Sequence, residues 1–138
     1  MHMSKPIIII DDDNDDHEFI KEAFLENKVK NEIVFFTKAM DAFVYLKKED
    51  VFPFMIISDI NMPVLNGLEL RDKIYEDPLL RIKCIPYIFL TTGRASNYVW
   101  EAYANNAQGY FIKPITVTEW KELVFKIVQY WDSSLKPV

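Results

Sequence analysis

Residues 7–16 read IIIIDDDNDD, and the reading of this stretch decides the fold. Four apolar residues run straight into five carboxylates and one amide. A short, continuous apolar run suits a strand buried on both faces, as in parallel sheets covered by helices on either side. Asn14 can then cap a helix over about 15–27, with Asp15, Asp16 and Glu18 at its positive end. The charge density raises its own question. Carboxylates set side by side repel one another unless a cation lies among them.

Working outward, strand-like and helix-like segments alternate. PIIII (6–10), EIVFF (32–36), FMIIS (54–58), PYIFLT (86–91) and GYFI (109–112) read as strands. The first helix carries Phe19, Ile20, Ala23 and Phe24 as its apolar stripe. A second is expected over 38–48, with Ala39, Phe43 and Leu46 inward. A third, over 67–76, is capped by Asn66, turns Leu68 and Ile74 inward and ends at Asp77-Pro78. A fourth runs over 96–105, with Ser96 as cap and Asn105-Asn106 as terminators. The fifth, over 117–131, opens on the capping box Thr116/Glu119 and buries Trp120, Leu123, Val124, Ile127 and Trp131. Five βα units make one α/β domain over 1–138, a parallel sheet with helices on both faces. Residues 1–4 read as either a disordered N-terminus or a cloning remnant, and 132–138 as a C-terminal tail.

The totals narrow the function classes. Half the 138 residues are apolar, which supplies a core and excludes a disordered chain. The net charge of −5 disfavours nonspecific contact with nucleic acid or anionic lipid. No apolar run approaches the ~20 residues of a membrane span, and MHMSKP has no secretory apolar core. The single Cys84 excludes an internal disulfide, suits a reducing compartment and reads as a small buried hydrophobe rather than a nucleophile. A cytoplasmic protein without nucleic-acid or membrane partners is expected. His2 and His17 lack metal-ligand spacing and are expected to face solvent.

In such sheets ligands bind beyond the carboxyl ends of the strands. Those ends carry Asp11-Asp12-Asp13, Ser58-Asp59, Thr91-Thr92 and Lys113-Pro114. Three carboxylates, a hydroxyl and an ammonium are the parts of a Mg²⁺-assisted phosphoryl site, because Mg²⁺ keeps waters and needs only one or two carboxylates beside a substrate phosphate. Singly, each has another reading. Asp59 alone could shape a turn, Asp11 and Asp12 could cap a helix, and Lys113 could lie on the surface. Thr91 and Thr92 could be plain strand residues, and Tyr110 an ordinary half-buried aromatic. Asp13, Asp15, Asp16 and Glu18 are assigned to solvation and the helix dipole.

Taken together, IIIIDD (7–12), ISDINMPVLNG (57–67), IFLTT (88–92) and GYFIKP (109–114) resemble the receiver domain of bacterial two-component response regulators, over almost the whole chain. The resemblance implies a doubly wound, flavodoxin-like (βα)5 sheet of order 2-1-3-4-5. It implies that Asp59 accepts a phosphoryl group from a phosphohistidine on a histidine kinase or histidine phosphotransfer protein. Mg²⁺, with Mn²⁺ as an alternative, would be held by Asp12 directly, Asp11 through water, Asp59, and the backbone carbonyl of Asn61. Thr91 would bond a phosphoryl oxygen, Lys113 would pair with Asp59 and then the phosphate, and Tyr110 would turn inward as a switch. A cis peptide before Pro114 would aim Lys113 into the site. The output would be a change in the face made by the fourth helix, fifth strand and fifth helix, where a homodimer could also form, with no turnover of external substrates and no output domain following.

One departure stands out. Thr92 occupies a position that is usually Ala or Gly, and Gly93 follows it, so slower entry of donors or water and a longer-lived phosphoryl group are expected. A small Mg²⁺-dependent phosphatase is disfavoured because Asn61 replaces the acid expected two residues past the nucleophile. A pseudo-receiver that is never phosphorylated is disfavoured by the complete residue set. A flavin binder is disfavoured by the anionic first loop. Tyr98, Trp100, Tyr103 and Trp120 could form an aromatic partner surface, with one of Tyr98 and Trp100 exposed and Trp120 in the core.

Overall fold

In a computed structural model, residues 5–92, 100, 104 and 107–135 are described. Five parallel strands, β1 (Ile7–Ile10), β2 (Ile33–Phe36), β3 (Met55–Asp59), β4 (Tyr87–Thr91) and β5 (Gly109–Ile112), form one sheet of order β2-β1-β3-β4-β5. This is the expected order. It reverses direction between β1 and β3, so the chain winds one way from β1 to β2 and the other way from β3 onward. Among the described residues the helices are α1 (Asn14–Glu26), α2 (Ala39–Leu46), α3 (Gly67–Glu76), a single turn α4 (Pro78–Arg81), and α5 (Val117–Ser133).

Alternation along the strands divides the core into two layers. Ile7, Ile9, Met55, Ile57, Ile88 and Leu90 pack with Ile20, Ala23 and Phe24 of α1 and Trp120, Val124 and Ile127 of α5. Ile8, Ile10, Ile56, Tyr87 and Phe89 pack with α2 and α3 on the other side. Every residue of β1, β3 and β4 is buried, which is why those strands read as unbroken apolar runs.

Several local expectations are corrected. Asp13, not Asn14, caps α1: its extended backbone lets its carboxylate accept the Asp15 N–H at 2.9 Å. Phe19 is 42% exposed, because it falls about a quarter-turn off the stripe of Ile20, Ala23 and Phe24. Cys84, expected in the interior, is exposed. Asp77 closes α3 as expected and also caps α4, accepting the Leu79 N–H at 2.9 Å. The expected capping box Thr116/Glu119 is present, and the Asn66 cap is itself half of a second box with Glu69. The helix expected over 96–105, with Ser96, Tyr98, Tyr103 and the Asn105-Asn106 terminators, lies outside the described residues. Of it only Trp100 and Ala104 are described, both exposed.

Candidate functional site

The alternation that sorts the core also sorts the polar strand ends. Asp11, Asp59 and Lys113 continue the parity of Ile9, Ile57 and Phe111, whose side chains face α1 and α5. They therefore emerge together on the α1 side of the sheet. Thr91 and Tyr110 share the parity of Phe89 and belong to the opposite face.

Asp11 is held from four directions and is 2% exposed. Its N–H donates to the Phe36 carbonyl at 3.0 Å, continuing the ladder between β1 and β2. Its carboxylate accepts the Asp13 N–H at 2.9 Å and contacts Lys113 Nζ at 2.9 Å. Its carbonyl accepts from His17 Nε2 at 2.6 Å. His17, expected in solvent, is instead half-buried, with its ring 4.8 Å from that of Phe35. It fastens the turn that aims Asp11. Burial pushes the Asp11 carboxyl up to about 6, against the opposing pull of Lys113 and the Asp13 N–H.

Lys113 is the cation the acidic stretch required. Its side chain is 7% exposed, and its ammonium touches Asp16 at 2.7 Å, Asp11 at 2.9 Å and Asp59 at 3.2 Å. Burial opposes its charge. The hydrogen bonds to Asp16 and Asp11 and the charges of Asp11 and Asp59 outweigh that and hold it well above the ordinary lysine range. Two readings are corrected here. No cis peptide occurs among the described residues, so Lys113 reaches the site across a trans bond to Pro114; its N–H on the Thr91 carbonyl at 2.8 Å carries the β4–β5 ladder one residue further and sets its direction. Asp16, assigned to solvation, makes the shortest contact to the ammonium. The signal was available: Asp16 precedes Ile20 by four residues and Ala23 by seven, which places it on the buried stripe of α1.

Asp59 ends β3 and is 7% exposed. Its carboxylate accepts the Asn61 N–H at 3.3 Å, and Ser58 Oγ donates to its carbonyl at 2.8 Å. Burial raises the Asp59 carboxyl, while Lys113 and the N–H groups of Ile60 and Asn61 pull it back. The loop to α3 doubles back on this residue, with Gly67 N–H bonded to the Ile60 carbonyl at 2.9 Å. A Cβ on Gly67 would collide with the Asp59 carbonyl oxygen, so only glycine fits. Val64, fully exposed at φ 71°, turns the same loop. Thr91 is fully buried and the adjacent Thr92 is exposed. The Tyr110 ring is half-buried, 6.4 Å from Phe89, with its hydroxyl withdrawn from solvent.

One carboxylate oxygen from each of Asp11, Asp12 and Asp59 lies within 4.8 Å of the other two. The donors are all hard oxygens, without histidine or cysteine, which fits a hard divalent cation such as Mg²⁺. Asp12 is the exposed member.

A family model for the response regulator receiver domain matches residues 7–125. A probable methanogenesis regulatory protein, FilR2, of Methanothrix harundinacea is 27% identical over 129 residues, covering 91% of this chain and 82% of that one. Response regulator Rcp1 of Synechocystis sp. is 24% identical over 132 residues, covering 92% and 88%. The crystal structure of the phosphorylated cyanobacterial phytochrome response regulator RcpA superposes with a TM-score of 0.86 at 26% identity, covering 96% and 97% of the two chains. The Mn²⁺-bound form of response regulator Rcp1 superposes at 0.84 with 23% identity, over 97% and 99%. With a parallel sheet of order 2-1-3-4-5 and an acidic cluster at its switch point, the chain belongs to the response regulator receiver domains of two-component signalling.

Proposed function

We propose that this receiver accepts a phosphoryl group on Asp59 from a phosphohistidine of a histidine kinase or histidine phosphotransfer protein, in a Mg²⁺-dependent reaction. The observation that carries the reading is the convergence of Asp11, Asp12 and Asp59 around one another with Lys113 among them. An Asp59 carboxylate oxygen attacks phosphorus in line. The bond from phosphorus to the imidazole nitrogen breaks, and the nitrogen keeps the electron pair. Lys113 offsets charge on the phosphoryl oxygens and the rest is positioning. Mg²⁺, held by Asp11, Asp12, Asp59 and the Asn61 carbonyl, would supply further charge compensation there. The product is a mixed anhydride that water hydrolyses, so the signal limits itself.

Phosphorylation adds a charge of about −1.5 to −2. Thr91 would respond by bonding a phosphoryl oxygen, and the Tyr110 ring would repack with it. The readout is a population shift on the face formed by β5, α5 and the segment between β4 and β5, which a downstream protein or a second copy would recognise.

The test is intact mass after incubation with Mg²⁺ and acetyl phosphate, and separately with a phosphorylated histidine phosphotransfer protein. One added phosphoryl group, lost in Asp59→Asn and with EDTA, is expected. No adduct from either donor would overturn the reading and leave a receiver that signals unphosphorylated.

A further inference from the structure

The Lys113 ammonium has three N–H donors and no acceptor. All three directions are occupied, by Asp16 at 2.7 Å, Asp11 at 2.9 Å and Asp59 at 3.2 Å. A phosphoryl group on Asp59 brings oxygens with more negative charge than the carboxylate it caps. For Lys113 to donate to them it must give up its bond to Asp59, the group modified, and follow the phosphoryl oxygens, which lie beyond that carboxylate. That movement lengthens the bond to Asp11 or the bond to Asp16, and burial decides which. The Asp11 side chain is 3% exposed and that of Asp16 is 19%. A carboxylate left without its cation in the interior costs far more than one that water can reach.

We propose that Asp16 is a latch on Lys113: in the unphosphorylated receiver it holds the ammonium on the α1 side, and phosphoryl transfer exchanges the Asp59–Lys113 and Asp16–Lys113 bonds for bonds from Lys113 to phosphoryl oxygens. Asp16 touches neither metal nor phosphorus in this scheme; it is a positioning residue that acts through Lys113. No covalent bond beyond those of the transfer itself is involved. The inference rests on the assignment of Asp59 as acceptor. It ties α1 to the reaction: the phosphorylated state releases the buried-stripe end of α1 from β5, while Asp11 stays paired.

The latch opposes phosphorylation, so its removal has a direction that a structural defect would not imitate. Asp16→Asn keeps the shape and removes the charge. Phosphorylation by acetyl phosphate at saturating Mg²⁺, followed by intact mass, should be faster in Asp16→Asn by about three-fold or more, the low end of what losing one net hydrogen bond gives. In a Lys113→Met background, where there is nothing to latch, the same substitution should change the rate less than about two-fold. A through-space repulsion alone would accelerate both backgrounds equally and would overturn the latch. A wild type that is phosphorylated on Asp59, with Asp16→Asn no faster, would also overturn it while leaving the acceptor assignment intact. A wild type that takes up no phosphoryl group would remove both.

Discussion

In the metal-free protein, acid should stabilise the fold over a range where most proteins are indifferent, and Asp11 is the reason. Burial raises its carboxyl from 3.8 to about 6 in the folded chain. Between those two values the folded state holds a proton that the unfolded state has released. Stability from this group is therefore fully present below about pH 4 and is lost as pH rises through 6. Asp59 is displaced in the same direction and adds to the effect. Lys113, raised further above the ordinary lysine range, stays charged in both states across this window and contributes no slope. For Asp11 alone the loss between pH 5 and pH 8 is of order 1.4 kcal/mol, roughly a 5 °C fall in Tm for a chain of this size. The assay is thermal melting in EDTA from pH 5 to 8, wild type against Asp11→Asn, with the difference curve cancelling groups common to both. With saturating Mg²⁺ the slope should reverse, since binding requires the carboxylate and stabilises only the folded chain. A metal-free difference curve that is flat, or that rises with pH, would refute the argument that burial dominates at Asp11.

Three further outcomes follow from the geometry. Lys113→Met leaves buried carboxylates without their cation; a loss of about 3–5 kcal/mol is expected in EDTA, with a large part restored by Mg²⁺, measured by urea titration. Gly67→Ala forces a Cβ onto the Asp59 carbonyl and should displace the acceptor loop, lowering stability by more than about 2 kcal/mol and slowing phosphoryl uptake measured by intact mass. Thr92→Ala trims the exposed side chain next to the buried Thr91 and should shorten the lifetime of the phosphoryl group, followed by loss of the mass adduct; an unchanged lifetime would show that Thr92 screens nothing.

What could be read from the sequence, and what could not, divides along physical lines. The central strands were legible because residues buried on both faces leave unbroken apolar runs such as Ile7–Ile10. The convergence of Asp11, Asp59 and Lys113 was legible for a related reason: parallel strands all deliver their last residues to one edge. Side-chain destinations within the acidic run were not. Asp13 and Asn14 are equally good caps, and only the backbone turn chooses between them. Asp16 and His17 were hidden by composition: in a run of acids each looks like solvation, although helical phase already placed Asp16 beside the core. The trans bond at Pro114 was missed because the expectation came from resemblance, whereas the strand ladder itself points Lys113 inward.

The distribution of burial across the sheet also implies a gradient of rigidity. β1, β3 and β4 are buried at every position, while β5 is an edge strand with one buried residue, two half-buried ones and an exposed Ile112. Amide hydrogens of the first three should exchange only with global unfolding, and those of β5 through cheaper, local opening. The groups proposed for the chemistry are thus mounted mainly on the stiffest part of the molecule, and the proposed switch residue Tyr110 on an edge strand of the same sheet. Such a layout lets an event at a fixed site bias an element that already fluctuates, with no need to loosen the frame that holds Asp59 in place.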